Sequence, residues 1–112
     1  MDTVLSEAKI YSRLGITKAR LLSYCYRWQV AELSFFGSIL TENFKETSDI
    51  DVLVSYLPTA KRGLIEKITM KEELEELTGR KVDLVSKQAV ERSRNWIRRS
   101  NILGTAEVFY VA

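Results

Sequence analysis

Apolar residues recur at Val4, Leu5, Ala8, Tyr11 and Leu14, the spacing of one side of a helix, and Gly15 is placed to end it. Thr17 is the expected N-cap of a second helix that runs to about Trp28, with Ala19, Leu22 and Tyr26 among its apolar positions. Val30 to Phe36 is dense in apolar and aromatic residues and leads into Gly37, the pattern of a strand entering a turn. Ser38 then stands where it would cap a short helix over roughly 38–44. A second strand is expected over 49–55. Pro58 interrupts the chain, and a helix over about 60–77 should follow, with Leu64, Ile65, Ile68, Leu74 and Leu77 as its apolar stripe. On that helix Lys71, Glu72, Glu73, Glu75 and Glu76 read as a solvated face, and Gly79 ends it. The stretch "KVDLVS" (81–86) predicts a third strand, and 88–110 reads as helix broken near Asn101 or Gly104. The order α-α-β-α-β-α-β-α predicts an α+β fold: a small mixed sheet of three or more strands with helices packed against it.

Carboxylates interrupt this pattern in a regular way. Period-two alternation puts Asp49, Asp51 and Leu53 on one face of the second strand and Ile50, Val52 and Val54 on the other. In the third strand Asp83 and Val85 oppose Val82, Leu84 and Ser86. If the two strands are neighbours, ~4.8 Å apart, Asp83 shares a face with the aspartate pair. Three carboxylates so close repel one another unless cations neutralise them. A pair of magnesium ions would do so, in the geometry of two-metal phosphoryl or nucleotidyl transfer.

The turn at Gly37-Ser38 supplies a complementary half. Glycine lets backbone approach a ligand closely, and a helix N-terminus with a serine hydroxyl offers donors to phosphate. Taken singly, a Gly-Ser pair is most often a plain turn, and a D-x-D strand is more often a solvated edge. The joint pattern G-S-x10-D-x-D should arise by chance in a chain this long only roughly once in a thousand cases. The spacing therefore favours a site.

Composition narrows the chemistry further. The chain has 112 residues, 46% hydrophobic and 29% charged, with 17 basic against 15 acidic residues. That is one globular domain with no strong pull on nucleic acid or membrane. The single cysteine, Cys25, cannot form an internal disulfide, no signal peptide or membrane span is evident, and a cytoplasmic location is expected. There is no histidine. His-dependent nucleophiles and general bases are excluded, zinc is disfavoured, and any metal should be a hard, oxygen-liking ion.

With "FFGS" (35–38), "SDIDVLV" (48–54) and "GRKVDLVS" (79–86) in place, the sequence resembles the minimal nucleotidyltransferases (MNT) of the DNA polymerase β superfamily. These are the antitoxin partners of HEPN-domain toxins. The resemblance spans 16–112 as a nucleotidyltransferase domain, with 1–15 as an N-terminal helical extension. It implies a magnesium-dependent adenylyltransferase that moves AMP from ATP to a tyrosine hydroxyl of a HEPN toxin. Gly37 and Ser38 would hold the nucleotide, Asp49 and Asp51 two magnesium ions, and Asp83 would join one metal and act as base.

One stretch departs from the pattern. Family members usually carry arginines after Gly-Ser, whereas this chain has "ILTENFKE" (39–46). Lys45, Arg62 and Arg80 are candidate substitutes. The departure also motivates an alternative: a binding-only antitoxin that neutralises its partner sterically. The segment "ERSRNWIRRS" (91–100) is read as a solvated helix face with Trp96 and Ile97 packed inward rather than as an RNA surface, and Trp28 as core.

Overall fold

The computed structural model describes residues 6–112; Val4 and Leu5 of the first expected helix lie outside them. The elements, in order, are α1 (Glu7–Leu14), α2 (Lys18–Arg27), β1 (Val30–Phe36), a 3₁₀ turn (Gly37–Leu40), β2 (Ile50–Tyr56), α3 (Leu64–Thr78), β3 (Val82–Ser86), α4 (Lys87–Glu91), α5 (Trp96–Thr105) and β4 (Glu107–Val111). The strands form one mixed sheet in the order β3-β2-β1-β4. β1 is antiparallel to both β2 and β4, while β2 and β3 run parallel. A parallel pair needs a crossover, and α3 provides it.

Local chemistry sets most boundaries. Ser6 and Thr17 cap α1 and α2 by accepting from the N–H of Lys9 and Arg20. Gly15 and Gly79 end α1 and α3 in the left-handed conformation, at φ 72° and 71°. One sheet face carries the main core, built from Ile10, Leu14, Leu21, Tyr24, Leu33 and Phe35 together with Ile50, Val52, Val54, Met70, Leu74 and Leu84. The opposite face carries a smaller cluster of Phe36, Leu53, Val90 and Ile102 under α4 and α5. The strands thus alternate between two covered faces, and the carboxylates of β2 and β3 belong to the thinly covered one.

Tyr24 is fully buried, and its hydroxyl donates to the carbonyl of Met70 at 2.9 Å. It joins α2 to α3 through a polar bond inside the core. Tyr24→Phe is expected to cost about 1 kcal/mol in urea unfolding, the net value of one buried hydrogen bond. An unchanged unfolding midpoint would show that the bond contributes nothing to holding α3.

Several elements differ from the sequence reading. The tail does not stay helical: the helix breaks over 92–95, and "EVFYV" pairs with β1 as a fourth strand. The short helix expected over 38–44 is a single 3₁₀ turn that already includes Ser38, with Phe36 at its N-cap and no side-chain cap bond. Buried Ile39 pulls the turn inward and ends it early. α3 starts at Leu64, not 60, and its first apolar turn does not face the core: Leu64, Ile65 and Ile68 are exposed, whereas Met70 and Leu74 are buried. Trp96 and Ile97 are also exposed, at 64% and 56%, because α5 restarts after the break with its opening turn turned outward. Trp28 is half-buried against the core, its indole N–H donating to Glu73 at 2.9 Å. Among the described residues, no helix is long and apolar enough to cross a membrane.

Candidate active site

Strand register brings the acidic positions together. In the antiparallel pair Phe36 faces Asp51, and in the parallel pair Asp51 faces Asp83. Asp51 therefore sits between the last residue of β1 and a second carboxylate ~4.8 Å away along the sheet. Neighbouring positions on the same face, Leu53 and Val85, pack with Phe36 under α4 and α5. Asp49 lies one residue ahead of β2 and is exposed, as is Asp83, while Asp51 is half-buried.

Gly37 explains how the turn fits against this edge. Its φ of 79° is in the left-handed region, which favours glycine. A Cβ built there would overlap the Asp51 carboxylate, with Cγ of Asp51 only 3.1 Å away. The absent side chain is thus the space that the carboxylate occupies. The turn itself is closed by the N–H of Thr41, which donates to the Ser38 carbonyl at 2.9 Å, and by the Thr41 hydroxyl, which donates to the same carbonyl at 3.0 Å.

Burial pushes the Asp51 carboxyl above its ordinary range, and the nearby charges of Asp83 and Asp49 push it the same way. The three predicted acids are electrostatic neighbours, yet among the described residues no three Asp, Glu, His or Cys side chains converge on one point as ligands of a single ion. The donor set is oxygen only, and the repulsion that raises Asp51 is what a divalent cation relieves. By donor chemistry, though not by a converged ligand geometry, these residues suit a hard, oxygen-liking ion.

The loop between turn and β2 holds residues that sequence reasoning missed. Arg13 of α1 donates to the carbonyls of Ile39, at 2.8 Å, and Thr41. Arg80, considered above as a phosphate ligand, instead donates to the carbonyls of Lys45, Glu46 and Ser48 at 2.9, 3.0 and 3.2 Å. Their guanidinium carbons lie 5.2 and 4.3 Å from the ring centre of Phe44. The only sequence signal for this arrangement was an aromatic residue in a polar loop. Arg62 is far from the turn: it lines a 460 Å³ cleft at the other end of β2 and β3, with Ser55, Tyr56, Lys61, Lys67 and Lys87. A second cavity of 520 Å³ adjoins Gly37, between Leu40 and Thr41 on one side and Gly104 to Glu107 on the other.

Comparison with known proteins gives a consistent result. The nucleotidyltransferase domain family matches residues 20–106. A protein adenylyltransferase of Thermococcus cleftensis, MntA, is 39% identical over 66 residues, which cover 57% of this chain. The chain spans 63% of that relative's length. A solved structure provisionally described as a minimal nucleotidyltransferase superposes with a TM-score of 0.63 at 30% identity, covering 80% of this chain and 86% of the other. The MNT antitoxin complexed with a tri-AMPylated HEPN toxin of Shewanella oneidensis shares the fold, with a TM-score of 0.57 at 16% identity over 85% of this chain and 70% of that one.

Proposed function

The chain belongs to the nucleotidyltransferase domain family, and from that premise we propose that it is the antitoxin of a HEPN/MNT pair, an adenylyltransferase that moves AMP from ATP to a tyrosine hydroxyl of its toxin. The observation that carries this reading is the register of Asp51 against Asp83, with the Gly37 turn closed over the first of them. The adenylyltransferase name of the Thermococcus relative and the AMPylated toxin of the Shewanella complex support the reaction and the partner. The same reading takes 16–112 as the transferase domain, 1–15 as an extension, and the cytoplasm as the compartment.

Asp49, Asp51 and Asp83 would hold two magnesium ions, which when bound supply Lewis acidity and charge neutralisation at the phosphates. The remaining steps belong to the chain. Gly37 lets the turn close over the Asp51 carboxylate, which would set Ser38 and the backbone of the turn beside the triphosphate. Half-buried Asp51 stays fixed in the sheet, whereas exposed Asp83 is within reach of a residue presented by another protein. Asp83 takes the tyrosine proton as that oxygen bonds to the α-phosphorus. The bond from the α-phosphorus to its bridging oxygen breaks, and pyrophosphate leaves. A carboxylate is a weak base towards a phenol, so the proton passes to Asp83 only as the oxygen–phosphorus bond forms and makes the tyrosine oxygen acidic.

A second reading, steric neutralisation without turnover, has its own support. Ile39 is fully buried, so it offers nothing to phosphate, and Arg80 is committed to loop carbonyls. The two are separated by incubating the protein and the neighbouring-gene HEPN toxin with ATP labelled at the α- or the γ-phosphate. Label on toxin tyrosine from α-labelled ATP alone, abolished by EDTA, is the expected result. Label from the γ-position would mean a phosphoryl transferase, and neutralisation with no label from either would establish the binding-only antitoxin.

A further inference from the structure

We propose that Arg13 and Arg80 are positioning residues that hold the loop over 41–49, and with it Asp49, by gripping Phe44 and five backbone carbonyls. Asp49 ends a segment that has turns but no strand or helix of its own. Its internal bonds are few: the Asn43 N–H donates to the Thr41 hydroxyl at 3.1 Å, the Lys45 N–H to the Ser48 hydroxyl at 2.9 Å, and the Ser48 N–H to the Lys45 carbonyl at 3.0 Å. External restraint comes from two places distant in sequence. α1 contributes Arg13, bonded to the carbonyls of Ile39 and Thr41 at the start of the loop. The approach to β3 contributes Arg80, bonded to the carbonyls of Lys45, Glu46 and Ser48 at its end.

Two further details tie the restraint to Asp49 itself. The residues on either side of it are held by two consecutive residues just ahead of β3: the Arg80 side chain takes the Ser48 carbonyl, and the Lys81 carbonyl accepts from the Ile50 N–H at 2.9 Å. Asp49 therefore moves with the strand that carries Asp83. Phe44 packs partly buried against the main core, and both guanidinium groups lie over its ring. Cations over an aromatic face are attracted to it, and the planar fork stays free to donate in its own plane. A lysine has no such fork, so it cannot reproduce both functions at once.

Arg13 lies outside the family match, which begins at residue 20. The segment before that match thus takes part in the geometry of the acidic edge, where the family would have placed arginines inside the loop. That this edge is catalytic rests on the adenylyltransferase reading above; the loop-holding contacts do not.

The test uses the full chain as Arg13→Gln, Arg13→Lys, Arg80→Gln and Phe44→Leu, with two measurements. Hydrogen exchange should speed up at least about tenfold at amides 41–49 in each variant, while β1, β2 and β3 amides stay protected. In AMP transfer to toxin, the magnesium concentration for half-maximal rate should rise about tenfold, with much of the rate recovered at high magnesium. A general loss of folded protein would instead lower the rate equally at every magnesium concentration. Unchanged exchange in 41–49 overturns the proposal, as does faster exchange with an unaltered magnesium requirement. If the unsubstituted protein transfers no AMP, the adenylyltransferase reading fails, and the exchange result alone decides whether these arginines hold the loop.

Discussion

Asp51→Asn is expected to lower AMP transfer to the toxin by on the order of a thousandfold and, in the same protein, to raise the thermal unfolding midpoint at neutral pH. The two effects share one cause. Asp51 is the carboxylate that stands in register with Asp83 and beneath the Gly37 turn, so the amide removes the charge at the centre of the acidic edge. Burial, then Asp83, then Asp49 raise the Asp51 carboxyl above its ordinary value of 3.8. A group raised in this way binds its proton more tightly in the folded state than in the unfolded chain. It therefore favours folding fully below the ordinary carboxylate value, and that advantage is lost as pH rises through the raised value. At neutral pH the folded protein carries the repulsion, and asparagine relieves it. Subtracting the pH dependence of the variant's stability from that of the parent isolates this carboxyl from the others. On the proposed reading, magnesium should raise the melting temperature of the parent and move that of the variant far less, since the variant lacks one of the three carboxylates. Transfer at the parental rate would remove Asp51 from the site.

Gly37→Ala should abolish transfer almost as completely, with the opposite effect on stability. The backbone at φ 79° alone costs an L-residue about 1–2 kcal/mol. The new methyl also claims the space of the Asp51 carboxylate. That carboxylate can swing away, which holds the steric part of the stability cost to on the order of 1 kcal/mol, but it then leaves its place beneath the turn. The double variant Gly37→Ala with Asp51→Ala separates the two contributions. Its destabilisation should be smaller than the sum of the single changes by on the order of 1 kcal/mol, as expected for residues in contact. Denaturant unfolding of the four proteins measures this directly. Strict additivity would mean that the turn and the carboxylate are independent.

Local signals were readable in the chain wherever a residue's own backbone preference decides. Thr17, Gly15 and Gly79 announced the helix ends that the structure shows, and the alternation over 50–54 separated Ile50, Val52 and Val54 from Leu53 as the two core clusters do. The acidic edge was legible because strand alternation fixes which side chains share a face. Most of what failed was decided by partners distant in sequence. "EVFYV" is rich in β-branched and aromatic residues, a local strand signal that the helical reading of 88–110 passed over, and β1 has the free edge that receives it. Leu64, Ile65 and Ile68 have helical spacing, but the turn of α3 that reaches the sheet is the one bearing Met70 and Leu74. Trp96 looked like core by residue type, and its exposure follows from a helix break that only the packing of Val90 and Ile102 explains. Arg13 and Arg80 were invisible as loop anchors because their partners are backbone carbonyls, which every residue has.

The parallel pairing of β2 with β3 sets a rule for how this protein can change length. Between Tyr56 and Val82 the chain passes through a loop, α3 and a second loop, and surface loops accept added residues at little cost. The Asp51–Asp83 pairing depends on none of that length. It depends on parity: one residue inserted inside β3 ahead of Asp83 would turn the carboxylate to the side of Val82 and Leu84, into the main core. Two would restore the face but shift the pair out of register. Descendants of this sequence are thus free to vary the span between the two acids widely, while the few residues from Lys81 to Asp83 tolerate no insertion or deletion.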